Sequence, residues 1–227
     1  MSLLSGLCKL FEKILKIRLS DHLLGKGLIV DEQFGFRSVH SCLQQVLRLV
    51  EYATEDFKTK QKTVAVFFDV AKAFDRIWHA GLIYKLYALQ MPDRLIIIIQ
   101  NYLNNRHFTF THELTHSTRR PIRARVSQGS LLFPLLYSAY PNDIPRPSSN
   151  SCYSQITALY YRNRYKKSTF LHLQRAINEL GQWFCNWRIE ANPEKLAAIQ
   201  FKYSKIRSQH IVDFDTPNLK LLNASIP

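Results

Sequence analysis

With 227 residues, 46% of them hydrophobic and 12% aromatic, the chain has enough apolar material for a sizeable core, which excludes wholesale disorder. Lysine and arginine outnumber acidic residues by 31 to 17, giving a net charge of +14 and a pI near 9.8; this favours a polyanionic partner, nucleic acid ahead of a membrane surface. Four scattered cysteines (Cys8, Cys42, Cys152, Cys185), with no CxxC pair and no histidine at ligand spacing, argue against a zinc site or a disulfide scaffold and fit a reducing compartment.

In chain order, Leu4, Leu7, Phe11, Leu15, Leu19 and Leu23 recur at helical spacing, with Lys9, Lys13, Lys16 and Arg18 on the other faces. This predicts an N-terminal helix with the apolar row inward. It is charged throughout and lacks a small-residue cleavage site, so it reads as a helix and not a signal peptide. The glycines of GKGLIVDEQFGFR mark turns. A second helix is expected from about Ser41 to Lys60, with Leu43, Val46, Leu47 and Val50 inward. Beyond residue 79 come two helical stretches, one centred on Leu82, Ile83 and Leu86, the other after Pro92, read as an N1 residue. Wholly apolar runs such as Leu95 to Ile99 are far short of the ~20 residues of a membrane span.

His107 to Thr111 and Pro121 to Val126 read as strands, and Leu131 to Tyr140 as a buried helix. PNDIPRPSSNS is the clearest loop, and Thr157 to Tyr161 reads as a short strand. Phe170, Leu173, Ile177, Leu180, Phe184 and Trp187 form an unbroken helical stripe; Trp183 and Trp187 are read as core rather than as base-stacking platforms. Strands interleaved with helices point to an α/β or α+β fold.

The most informative stretch is residues 63–79, TVAVFFDVAKAFDRIWH. Val64, Val66, Phe67 and Phe68 read as a buried strand that ends on Asp69 and passes into AKAFD, where a helix is expected to start. A carboxylate at the end of a buried strand costs free energy unless something pairs with it. Strand ends in α/β proteins hold ligands and metal ions, yet aspartate is also a favoured helix N-cap. These residues alone leave both readings open.

Seven blocks occur in a fixed order: SLLSGLCKLFEKIL, QFGFRSVHS, FFDVAKAFDRIWHAGL, RPIRARVSQGSLLFPLLY, NDIP, TALYYR and LQRAINELGQWFCNWRIEANPEK. In this order they resemble the reverse transcriptase domain of a non-LTR (LINE-type) retrotransposon, most closely the jockey-like elements, over nearly the whole chain. The resemblance implies an α+β right-hand polymerase fold, with a palm sheet of antiparallel strands backed by helices and with helical fingers. It divides the chain into fingers (1–62), the first catalytic palm block (63–78), a fingers–palm connection (79–118), palm (119–204) and the start of a thumb (205–227). It further implies an RNA-directed DNA polymerase that uses an RNA template, a DNA primer, deoxynucleotides and Mg2+. The expected location is the nucleus or a cytoplasmic ribonucleoprotein, with no membrane partner.

Carried over residue by residue, Asp69 matches the first catalytic aspartate and metal ligand, and the Val70 backbone carbonyl a second metal ligand. Phe74 matches the aromatic gate against a ribose 2′-hydroxyl. Gln128 and Gly129 match the motif against nucleotide and template, and Arg37 matches a fingers residue near both. Asn192, Pro193 and Lys195 match the motif after the palm helix, whose lysine lies near the phosphates. Singly, Phe74 reads as core, Gln128 and Gly129 as a turn, and Lys195 as a solvated helix end; the ordered set carries the weight.

The sequence departs from the family at the second catalytic block. Where the family has paired aspartates before TALYY, this chain has Gln155 and Ile156. Glutamine offers a neutral oxygen and isoleucine no ligand at all. The family's glycine-valine-proline before QGS is Arg125-Val126-Ser127 here, and Phe133 stands in place of a serine after it. Asp143 lies in the preceding NDIP loop, and Asp75 is expected on a helix facing elsewhere, so neither is an obvious substitute. The expectation is a degenerate, polymerase-inactive copy, a fragment without endonuclease region or zinc knuckle; the alternative is a non-catalytic, basic nucleic-acid-binding remnant.

Overall fold

The computed structural model describes residues 6–31, 33–35, 37, 40–59, 62–71, 73, 75–104, 107–109, 111–112, 115–122, 124, 130–146, 151–153, 156–163, 166–201, 219–222 and 224–226. Its helices are α1 (Gly6–Leu23), α2 (Cys42–Lys58), α3 (His79–Ala88), α4 (Asp93–Leu103), α5 (Phe133–Ala139) and α6 (Lys166–Asn186), with a 3₁₀ turn at Pro193–Lys195. Its strands are β1 (Lys62–Asp69), β2 (His107–Phe108), β3 (Thr111–His112), β4 (Thr115–His116), β5 (Arg120–Pro121), β6 (Ser151–Tyr153), β7 (Ile156–Asn163), β8 (Ala197–Phe201), β9 (Leu219–Leu221) and β10 (Ala224–Ile226). Helices and antiparallel strands are mixed, as an α+β fold requires. No described helix is long and apolar enough to cross a membrane.

The chain forms two compact units, one of residues Met1–Val30 and Lys72–Asp143, the other of Asp31–Ala71 and Ile144–Pro227. The second holds a four-stranded antiparallel sheet in the order β6-β7-β1-β8. Side chains alternate along a strand, so Val64, Val66 and Phe68 share one face of β1 while Ala65, Phe67 and Asp69 share the other. The first face is buried with Phe170, Leu173, Ile177, Leu180, Trp183 and Phe184 of α6. Leu219, Leu221 and Ile226 of the β9–β10 hairpin join the same core. On the other face, Leu49 of α2, Phe67 and Phe201 pack against fully buried Ala65. The long helix follows its predicted stripe, with Trp183 buried and Trp187 packed at the core's edge.

Two helices turn other faces inward than their leucine patterns predict. In α1 the buried residues are Glu12, Leu15, Leu19, His22 and Leu23, whereas Leu7 and Phe11 are exposed; Leu4 lies outside the described residues. The reason is geometric. Residues four apart drift about 40° around a helix per step, so the row from Leu7 to Leu23 winds off any single face. In α2, Leu43, Val46, Leu47 and Val50 are all exposed, while Ala53 and Asp56 are buried. Its start is as expected: Ser41 Oγ accepts from the Gln44 N–H at 3.3 Å and Gln44 Oε1 accepts from the Ser41 N–H at 2.8 Å, a capping box.

AKAFD does not start a helix; its described residues form turns, and α3 begins at His79. The backbone stays extended past Asp69 because Val70 bridges Ala191. Asp75 therefore sits in a turn, half-buried, and not on a helix. Pro92 is the N-cap of α4 and not its first residue.

The first unit packs α1 and α3–α5 through Leu15, Leu19, Leu82, Leu86, Ile96, Ile99 and Leu136, among others. Polar clamps lock it. The buried Glu12 carboxylate accepts from the Tyr102 hydroxyl, the Ser130 hydroxyl at 2.8 Å and the Leu131 N–H at 2.8 Å. The Asn142 amide donates to the Leu28 carbonyl at 2.8 Å and accepts from the Val30 N–H at 2.9 Å, fastening the segment after α1. Gly27, at φ +62°, supplies the left-handed residue that this turn requires.

Phe68 is fully buried between α6 and the sheet. Phe68→Ala is expected to cost about 3–5 kcal/mol, the usual penalty for emptying a core aromatic site. Urea unfolding of parent and variant measures this, and a loss under about 1 kcal/mol contradicts the packing described.

Candidate active site

Asp69 is the last residue of β1, and the antiparallel register sets it directly opposite Ile156, the first residue of β7. Its carboxylate is partly exposed, at 29%. The segment after α6 returns to this end of the strand. The Asp69 carbonyl accepts from the Asn192 N–H at 2.8 Å, and the Ala71 N–H donates to the Glu190 carbonyl at 2.8 Å, the two bonds of the Val70–Ala191 bridge. These bonds use the carbonyls of Asp69 and Glu190, so the Val70 carbonyl is not engaged in the bridge.

Asn192 then shapes the turn. Its side-chain oxygen accepts from the Glu194 N–H at 3.2 Å and its carbonyl from the Lys195 N–H at 3.1 Å. Leu196, the next residue, is anchored in the core at 3% exposure. Lys195, held between these fixed points, places its ammonium 3.3 Å from Asp69 Oδ2. The NPEK motif thus meets Asp69 through backbone and side chain alike.

The other predicted site residues distribute differently. Arg37 lies 3.8 Å from Asp31, and nearby Phe34 and His40 meet edge to face with centroids 5.0 Å apart. Phe74, Gln128, Gly129 and Gln155 lie outside the described residues, as do Arg125, Val126 and Ser127. Phe133 opens α5 and is buried, so the serine-to-phenylalanine departure is taken up in the core.

Two features escaped the sequence reading. Glu12 joins α1 to Tyr102 of α4 and to Ser130–Leu131, the residues immediately after Gln128-Gly129. Ser130 Oγ in turn accepts from the Leu132 and Phe133 N–H groups at 3.2 and 3.3 Å, capping the turn into α5. The available signal was an acid amid apolar residues in CKLFEKIL. The second feature is Asp143, whose carboxylate bonds to the buried Lys85 ammonium; Lys85 also lies 5.0 Å from the centre of the Tyr140 ring. Asp143 is committed to that pair.

Metal chemistry would require converging oxygen ligands, and magnesium in particular needs near-octahedral oxygen coordination. Among the described residues no group of three or more His, Cys, Asp or Glu side chains is placed to hold a metal ion. At this corner Asp69 brings one carboxylate and Val70 a carbonyl, isoleucine stands across the register, and Lys195 adds positive charge. Among the described residues, that donor set does not fit a pair of magnesium ions.

Comparison with known proteins settles the kinship. The family described as reverse transcriptase (RNA-dependent DNA polymerase) matches residues 1–214. The chain belongs to the reverse transcriptase family. It is 36% identical over 204 residues to the probable RNA-directed DNA polymerase from transposon BS of Drosophila melanogaster, covering 86% of this chain and 22% of that protein. It is 33% identical over 210 residues to the RNA-directed DNA polymerase from the mobile element jockey of the same species, covering 88% of this chain and 23% of that protein. The expected affinity with jockey-like, non-LTR elements holds, and this reverse transcriptase chain spans under a quarter of its relatives' length. Two telomerase structures from Candida tropicalis share the fold. One, apo and truncated from the C-terminal domain, aligns with TM-score 0.54 at 12% identity over 86% of this chain and 40% of its own. The other, in complex with a fragment of telomeric RNA, aligns with TM-score 0.56 at 13% identity over 86% and 34%.

Burial holds the Lys85 pKa down, from an ordinary 10.5 to about 8, while the hydrogen bond and charge of Asp143 oppose the shift. Below pH 8 both folded and unfolded chains carry the proton, and the cost of burying the ammonium is constant. Between about pH 8 and 10.5 the unfolded chain holds the proton that the folded chain has released, so this residue's contribution to stability rises with pH. Urea unfolding across that window is expected to show Lys85→Met gaining less with pH than the parent. Identical pH dependence in the two proteins would contradict the burial of a charged Lys85.

Proposed function

We propose that this chain is the fingers and palm, with the start of a thumb, of a non-LTR RNA-directed DNA polymerase, and that it binds nucleic acid without transferring nucleotides. The fingers comprise residues 1–62, the palm 63–78 and 119–204 with 79–118 connecting them, and the thumb begins at 205–227. The observation that carries the reading is the Asp69–Ile156 register, since a single carboxylate stands where the family's chemistry draws on several. In polymerases of this kind, two metal ions stabilise the attacking and leaving oxygens of the displacement, a contribution of several kcal/mol. Each 1.36 kcal/mol lost is about tenfold in rate.

Binding draws on other properties. The +14 charge supplies phosphate affinity independent of sequence, and Arg37 is our candidate for the template and nucleotide side. Gln128, Gly129 and Phe74 would line the nucleotide side. RNA template and DNA primer are the partners this reading assigns, in a nucleus or a cytoplasmic ribonucleoprotein.

The reading is tested by two assays. A site engaging about four phosphates loses about 100-fold in affinity between 50 and 200 mM salt, so binding of an RNA–DNA hybrid, followed by fluorescence anisotropy, is expected to weaken by about that factor. Salt-independent binding would contradict an electrostatic cleft. In the second assay, primed RNA, deoxynucleotides and magnesium are supplied, and extension is expected to stay at background. The double variant Gln155→Asp/Ile156→Asp is expected to recover little, because Arg125, Ser127 and Phe133 also depart from the family. Robust extension by the parent overturns the inactive reading, and strong recovery in the double variant confines the defect to the aspartate pair.

A further inference from the structure

We propose that the Lys195 ammonium is the resident counter-charge of Asp69, so that in this chain the end of β1 is a closed ion pair that excludes divalent cations. The inference rests on the palm assignment and deepens the inactive reading, because a corner closed to divalent cations cannot host two-metal transfer.

Placement of the ammonium does not depend on a chance rotamer alone. The Asn192 N–H to Asp69 carbonyl bond and the Ala71 N–H to Glu190 carbonyl bond fix the return segment to the strand end. The Asn192-centred turn and the buried Leu196 fix the backbone of Lys195 from either side. The ammonium, 3.3 Å from Oδ2, is therefore supplied at high effective concentration by the same chain. Across the register, isoleucine brings no competing carboxylate to draw a cation in. A doubly charged ion about 4 Å from an ammonium meets a repulsion equivalent to about 30-fold in affinity even at the dielectric constant of water. A lone, partly exposed carboxylate that already has a monovalent partner has little to set against this. The corner is thus neutral without metal, and Lys195 holds Asp69 in place of the ion rather than beside it.

The test is Mn2+ binding to the full chain without nucleic acid, read by electron paramagnetic resonance of the free ion. Parent and Asp69→Asn are expected to give superimposable titrations through the millimolar range. Lys195→Met is expected to bind Mn2+ about 5- to 30-fold more tightly, and the gain is expected to vanish in Lys195→Met/Asp69→Asn. Lys195→Arg keeps the positive charge and is expected to behave as the parent. Lys195 is 66% exposed, so the fold is expected to survive, as circular dichroism checks; Lys195→Gln replaces the methionine variant if that one is unfolded. Saturable parent binding that Asp69→Asn abolishes, or a neutral variant at position 195 that gains nothing, overturns the inference. Mn2+ binding at Asp69 with extension still at background would overturn this inference alone, whereas extension by the parent would overturn the inactive reading, so the two failures are distinguishable.

Discussion

Antiparallel pairing along both edges of β1 is the constraint on which the second unit depends. β7 pairs with it from Lys62 to Asp69 and β8 from Thr63 to Phe67. Both faces are covered, one by the α6 core and the other by Leu49, Phe67 and Phe201 around Ala65. A strand bonded on two edges and packed on two faces has one stable register, because a one-residue slip would exchange its buried and half-buried sides. The position of Asp69 is a product of that register. Its carboxylate stands on the half-buried side, at the point where the sheet ends and the return segment from α6 arrives.

The first unit uses buried polar groups where the second uses a sheet. A buried carboxylate is tolerable only when its lone pairs are met, and Glu12 meets three donors from two other segments. Asn142 substitutes a side-chain amide for a backbone strand partner at Leu28 and Val30. Each clamp joins segments far apart in sequence that share little regular structure. Removing one donor leaves the others with an unsatisfied partner, so these groups specify the arrangement of the segments more than they add to its stability.

The sheet strands and α6 were legible because their apolar period coincides with their burial: Val64, Val66 and Phe68 alternate, and Phe170 through Phe184 recur helically, toward one core. The faces of α1 and α2 were not, since periodicity announces an apolar side without naming what covers it. Leu43, Val46, Leu47 and Val50 satisfy the helical pattern and still face outward. The turn after Asp69 is not legible in the sequence, because AKAFD has good local helix propensity that the long-range Val70–Ala191 bridge overrides. The block order singled out Asp69 and Lys195 separately, but sequence separation of more than a hundred residues hid their direct pairing. Glu12 was hidden by the same cause, its partners lying far along the chain.

The Asp69–Ile156 register also bears on the stability of the sheet. Aspartate is disfavoured in strands and isoleucine favoured, and a carboxylate facing Asp69 on the neighbouring strand would add like-charge repulsion. Isoleucine at position 156 therefore spares the β1–β7 pair a conflict that a carboxylate there would bring. Active sites commonly hold such unfavourable arrangements at the expense of stability. At this position isoleucine favours the pairing of β7 with β1, so the four-stranded sheet gains in foldability where a second carboxylate would strain it.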